Sequence, residues 1–355
     1  MSSDDHADLA SGPACPVPIS RYPTVLLAHG GGGKLTQHLI QSMFQPQFSN
    51  PALDALHDGA TLEIEGARIA FTTDAHVVSP IFFPGGDIGM LAVNGTVNDL
   101  AMCGAQPLYL AAALIIEEGL PMERLWEIVR SMSDAAVAAG VQLVTGDTKV
   151  VEKGKGDGIF ITTTGIGLIP PGVTMRPDAL QPGDRVLLSG RIAEHGIAIL
   201  SVREGLEFGT TIKSDTAPLH RLAQGILRAS PSVRVMRDPT RGGIASALNE
   251  LAQSSRVGIV LREDRIPVAA EVHGACELLG LDPLYVANEG KLLAIVPAGD
   301  APKVLAAMRE DPLGRDSVDI GEVTSEHPGV VTMQTGVGSA RVVDMLTGEQ
   351  LPRIC

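Results

Sequence analysis

The sequence predicts an α/β (α+β) protein folded as two domains, and three observations carry that prediction. Its 355 residues exceed what one ordinary core encloses, so two units of roughly 150 residues each are expected. Strand and helix periodicities alternate through both halves in similar order. Between the halves, Pro170-Pro171-Gly172 forms a break that neither element continues through easily.

Residues 1–22 combine Ser, Asp, Gly and Pro without periodicity and read as a flexible leader. In the first domain, 23–169, the runs 68–72, 108–114, 142–144 and 159–168 are strand-like. Residues 89–102 and 122–139 carry apolar side chains at helical spacing, and Gly140 stops the second helix. In the second domain, 170–328, strands are expected at 185–188, 258–261 and 292–296, and helices at 192–203, 243–254 and 268–279. The stretch 329–355 begins with two strands, 329–333 and 340–345, and ends in a flexible tail with no core of its own.

Composition narrows the function. Apolar residues at 45% against 19% charged describe a folded chain. Aromatics at 3% beside 40 glycines suit close backbone packing and ligand-cradling loops, and disfavour base-stacking platforms. A net charge of -14 argues against a nucleic-acid partner, so an anionic ligand must arrive with a cation. Mg²⁺ bridging phosphates and carboxylates is the common solution. No run of about 18 apolar residues suggests a membrane span, and the N-terminus lacks the pattern of a signal peptide, so a cytoplasmic protein is expected. The four cysteines, Cys15, Cys103, Cys276 and Cys355, form no CxxC pair, so any special cysteine must act alone.

Three acids follow strand-like runs: Asp74, Asp147 and Asp238. Strand ends are where α/β proteins place ligands. Asp99 interrupts an apolar helix, where a charge is costly unless paired or metal-bound. Together the four make a candidate magnesium site, although each alone also reads as a turn or cap residue. The run Gly30 to Gly33 followed by Lys34 offers backbone N–H groups and a point charge to phosphate, or is a plain turn. In Asp238-Pro239-Thr240-Arg241-Gly242-Gly243, glycines run into a helix beside an acid and an arginine, a pattern for phosphate binding or a simple N-cap. Cys355 is either an incidental thiol or a tail-borne reactive one. Arg353 should favour its thiolate and the adjacent carboxylate should oppose it, which leaves activation to a partner or pocket.

The segments His29 to Gly33, Thr73-Asp74, Val97 to Ala105, Gly146-Asp147-Thr148-Lys149, Asp238 to Gly243, Asn288-Glu289-Gly290 and Pro352-Arg353-Ile354-Cys355 together resemble the HypE family of hydrogenase maturation proteins. That family lies within the wider ATP-using superfamily of aminoimidazole ribonucleotide synthetase, selenophosphate synthetase and thiamine-monophosphate kinase. The resemblance covers almost everything after the leader.

It implies a two-domain PurM-like fold, homodimeric through first domains whose strands form a β-barrel across the two-fold, with ATP and Mg²⁺ in the cleft. It implies further that a carbamoyltransferase, HypF, loads Cys355 with a carbamoyl group. The family's enzyme then dehydrates that group to a thiocyanate, and the cyanide passes to iron on a HypC–HypD complex. On this reading Asp74, Asp99, Asp147 and Asp238 hold Mg-ATP, with Gly31, Gly32, Gly33, Lys34, Asn98 and Arg241 around the nucleotide. Lys149 and Glu289 stand beside the thiocarboxamide, as electrophile and base respectively, each otherwise an ordinary ion-pair member. His195 and Asn98 line the cleft or merely pack and cap helices. A selenophosphate synthetase reading is weakened because no cysteine adjoins Lys34, and a kinase would leave the cysteine tail unexplained. A non-catalytic, ATP-gated carrier is the remaining alternative.

Overall fold

The computed structural model describes residues 24–206, 211–336, 338–346 and 353–355. The leader at 1–22 lies outside the described residues. Behind the glycine run come α1 (Lys34–Leu39), a π-helical turn (Ile40–Phe44) and α2 (Gln45–Phe48), followed by β1 (Ala60–Ile64), β2 (Ala67–His76), β3 (Phe82–Phe83) and β4 (Gly86–Asp87). Next are α3 (Ile88–Met102), β5 (Gln106–Glu117), α4 (Met122–Ala139), β6 (Gln142–Val151) and β7 (Ile159–Leu168). The second half comprises β8 (Arg185–Leu188), α5 (Glu194–Arg203), α6 (His220–Ala229), β9 (Val235–Arg237), α7 (Gly243–Ser255), β10 (Gly258–Arg262), α8 (Ala270–Leu279), β11 (Leu293–Val296), α9 (Ala301–Glu310), β12 (Val318–Thr324), β13 (Val331–Gln334) and β14 (Ala340–Val343).

Two large sheets result. The first has the order β1-β2-β7-β5-β6, and the second β14-β13-β10-β12-β8-β11-β9. Most neighbours are antiparallel, and each sheet contains one parallel pair, β5–β6 and β10–β13. The first pair is joined by the crossover helix α4, as parallel neighbours require.

The elements follow from their residues. Asp87 caps α3, accepting from the N–H groups of Gly89 and Met90. Nearly every α3 residue is buried, because the helix lies between the first sheet, α4 and α6, so it reads apolar all round. Gly140 ends α4 with φ +69°, the left-handed stop expected of a glycine there. The outward face of α4 carries Met122, Trp126, Val129 and Val137, all exposed.

Strand β7 alternates buried and exposed residues along its length, whereas β11 is buried at every position. The first sheet is therefore covered on one face, and the centre of the second on both. The halves meet where Ala101 and Met102 of α3 pack against Leu219, Leu222 and Ile226 at and in α6.

Two positions differ from expectation. Asp74 and Asp147 are inside strands, because β2 continues to His76 and β6 to Val151. The ladders extend through these polar residues since their flanking segments pair fully with β7 and β5. Among the described residues no helix is long and apolar enough to cross a membrane.

Candidate active site

A cavity of about 420 Å³ opens between the halves. Asp74 enters it from β2, Asp99 from α3, Asp238 and Arg241 from the loop after β9, and Glu289 from the loop before β11. Cys355 reaches the same cavity. Gly32 forms part of its wall and has φ +74°, and a Cβ there would meet Arg241 Cβ at 2.6 Å. A glycine is thus required for the loop to lie against the arginine backbone. Gly32 and Gly33 also line an adjoining cavity of about 370 Å³. The sites predicted at Asp74, Asp99, Asp238, Arg241, Glu289 and Cys355, far apart in sequence, are brought together.

Carboxylates dominate the electrostatics. Burial, then Asp238, Asp74 and Asp58, push the Asp99 carboxyl well up, against the Thr72 hydroxyl that donates to it at 2.9 Å. Burial raises Asp238 to about 6, with Arg237 opposing. Burial likewise disfavours the Asp74 anion, but His76, whose Nε2 is 3.2 Å away, and Arg241 outweigh it and hold Asp74 at about 2. Glu289 is raised well above the ordinary range by burial, Asp74, Asp238 and Asp215, with Arg241 opposing. Its Oε1 is buried without a hydrogen-bond partner, an expensive condition for a group that contacts only protein.

This crowding of like charges is what a cation relieves. Among the described residues no three His, Cys, Asp or Glu side chains are gathered as a ready metal cluster. Mg²⁺ tolerates that, because it keeps waters and phosphate oxygens and needs only one or two carboxylates. The donor set therefore fits Mg²⁺ bound together with a nucleotide.

The chain's last three residues are docked. Val77 N–H donates to Cys355 O at 2.9 Å and Ser79 N–H to Arg353 O at 3.1 Å, while Ile354 and Cys355 join the apolar cluster of the first half. The pocket does not activate the thiol. Burial, with Glu289, Asp74 and Asp238, pushes Cys355 up to about 12 despite Arg241. Arg353, expected to favour a thiolate, instead donates from Nε to Val77 O at 3.0 Å and pairs with Asp157.

Other predicted residues lie elsewhere. Lys34 pairs with Asp344 at the surface, and Gly31 and Lys34 are not among the residues lining either cavity. The Asn98 amide is fully engaged, donating to Ala217 O and Glu289 O, each at 3.1 Å, and accepting from Leu219 N–H at 2.7 Å. It staples the Glu289 backbone and is not among the residues lining the cavity. Asp147 and Lys149 pair with each other at 2.6 Å on the exposed strand β6, outside the cavity lining. The chain alone does not unite them with the other acids.

Several residues were not anticipated. Asp58 binds Arg237 at 2.9 Å, and Arg237 also pairs with Glu250, so three more charges stand at the cavity. Asp58 sits in His57-Asp58-Gly59, which reads as an ordinary turn, and only its burial reveals it. Asp215 accepts from the Glu289 N–H at 3.0 Å and from Lys291 at 3.0 Å.

Comparison with known proteins decides the family. Residues 56–169 match the AIR synthase related protein N-terminal domain, and 181–334 its C-terminal domain. The carbamoyl dehydratase HypE of Cupriavidus necator is 58% identical over 330 residues, covering 93% of this chain and 94% of that protein. The chain belongs to the HypE family. A solved HypE–HypF complex contains a HypE chain 48% identical, with TM-score 0.83, covering 87% of this chain and 99% of that one. A HypE structure in complex with ATP is 47% identical, with TM-score 0.79, and covers 94% of this chain and all of that one, 100%.

Proposed function

We propose that this chain dehydrates a carbamoyl group carried on Cys355 to a thiocyanate, using ATP. The observation that carries the reading is the docking of Cys355 in one cavity with Arg241, Glu289 and the carboxylates. Bound Mg-ATP supplies an electrophilic phosphoryl group that turns the carbamoyl oxygen into a phosphate leaving group, while nitrogen loses two protons. One or two of Asp74, Asp99 and Asp238 would hold the cation, with phosphate oxygens and waters completing its shell, and the Gly32 and Gly33 loop would face the nucleotide. Arg241 beside Cys355 neutralises charge developing on oxygen. Glu289, with its free Oε1, accepts one proton from nitrogen once a cation has drained the surrounding negative charge, and the second leaves with the departing phosphate.

The docked thiol is neutral and buried, so carbamoylation requires it to leave. Energies allow that. Burying Ile354 stabilises docking by about 2 kcal/mol and each hydrogen bond by about 1 kcal/mol, against about 1–2 kcal/mol per ordered residue. The tail can therefore visit a carbamoyltransferase of the HypF type, return, and then deliver cyanide to a HypC–HypD type iron scaffold. Such a route belongs in the cytoplasm.

We read 23–169 as the ATP-binding and dimerisation domain, 170–328 as the second domain, and 329–355 as closing strands and tail. Strand β6 is a sheet edge that exposes Leu143, Val144 and Val150, a surface natural proteins cover. A homodimer formed there, closing a β-barrel across its two-fold, carries Asp147 and Lys149 toward the partner's cavity. There Lys149 polarises the carbamoyl oxygen.

The test is intact-protein mass spectrometry after incubation with carbamoyltransferase, carbamoyl phosphate and ATP. The expected result is a carbamoyl adduct at Cys355 that loses one water only with hydrolysable ATP. An adduct that never loses water overturns the dehydratase reading.

A further inference from the structure

The tail is held through its main chain, by residues outside the nucleotide cavity lining. His195 is buried on α5, and its Nε2 is 2.7 Å from Ile354 O while its Nδ1 is 2.7 Å from Ser214 Oγ. A carbonyl only accepts, so Nε2 carries the proton and Nδ1 accepts from the serine hydroxyl. The Phe83 ring stands edge-on to the imidazole at 5.6 Å and fixes its plane. At the other end of α5, Arg203 donates to Arg353 O at 2.8 Å and to Ser79 O at 3.0 Å. One short helix thus binds two successive tail carbonyls, while the Val77 and Ser79 N–H groups donate to Cys355 O and Arg353 O.

We propose that His195 and Arg203 are positioning residues that set the register of the tail, so that the group on Cys355 faces Arg241 and Glu289. The proposal rests on the dehydratase reading. Backbone contacts cannot read side-chain identity, so what they determine is alignment. A slip of one residue would displace the Cys355 side chain by about 3.8 Å along the tail, away from Arg241 and Glu289. The same contacts reach the other side of the reaction. Ser214, which holds His195, adjoins Asp215, which accepts from the Glu289 N–H. Tail and Glu289 are therefore set against each other by one segment. Burial pushes the His195 pKa down, keeping the imidazole neutral and the tautomer single.

The experiment uses the full chain with Cys15→Ser, comparing wild type, His195→Leu, His195→Gln, Arg203→Leu and Arg203→Lys. Three quantities are read: the rate of Cys355 alkylation by a maleimide, single-turnover dehydration of carbamoylated protein with ATP, and ATP affinity. His195→Leu should raise alkylation and slow dehydration, each by tenfold or more, with ATP affinity within twofold. His195→Gln, which keeps a donor, should recover most of both. Arg203→Leu should act in the same direction, with Arg203→Lys intermediate, and these variants decide the matter if His195→Leu does not fold. Unchanged alkylation, or a dehydration loss accompanied by an equal loss of ATP affinity, overturns the register role. Wild type that never dehydrates defeats the enzyme reading instead, and the alkylation rates still judge the docking.

Discussion

The two sheets are made from similar lengths of chain and are finished differently. In the second, β11 is buried at every position and β8 nearly so, between helices on both sides. In the first, β7 buries every second residue and β6 almost none. A sheet covered on both faces is complete within the chain. The first sheet keeps an apolar edge and an open face, and Asp147 and Lys149 stand on that edge, where the proposed dimer would carry them to a second molecule.

The largest expected effect lies in the cavity between the halves. Glu289→Gln should slow dehydration by about 10²–10⁴-fold while ATP still binds, measured by mass spectrometry in single turnover. A loss under tenfold would remove Glu289 from the chemistry. The open edge is tested by mixing. Lys149→Ala and Cys355→Ala should each be inactive alone, yet recover roughly a quarter of wild-type turnover when refolded together as a dimer. No recovery would confine Lys149 to its own ion pair. Stability should divide the same way. Leu187→Ala in the covered sheet should cost about 2–5 kcal/mol, and Val150→Ala on β6 under about 0.5 kcal/mol in dilute, monomeric protein, by denaturant titration.

A smaller effect concerns pH. The Asp238 carboxyl is raised to about 6, and the proposed cation role requires it to lose its proton. Nucleotide affinity in magnesium should therefore fall about tenfold per pH unit below 6. The ligand-free fold responds with opposite sign, because an acid whose folded pKa is raised contributes stability at low pH that is lost as pH rises through 6. Calorimetry at pH 5 and 7.5, with and without Mg-ATP, separates the two.

Much of this was legible in the sequence for identifiable reasons. Residues 159–168 alternate cleanly and formed a strand with the expected limits, and 122–139 formed a helix with its glycine stop. Strand length was not legible at β6, because Asp147 and Lys149 look like a turn until pairing with β5 supplies hydrogen bonds. Glu289, Asp238 and Arg241 could be named from motifs. Asp58, Arg237, Glu250 and Asp215 could not, since their meaning comes from neighbours distant in sequence. Arg353 was read from its proximity along the chain to Cys355, and its side chain turned the other way.

The chain's single tryptophan is Trp126, on the outer face of α4 and 65% exposed. An indole already in contact with water has little left to report when the protein denatures. Its emission should hardly change as either core melts or as nucleotide enters the cavity. What it can sense is a molecule settling on α4, which makes this natural fluorophore a built-in detector of docking partners and a poor thermometer of folding.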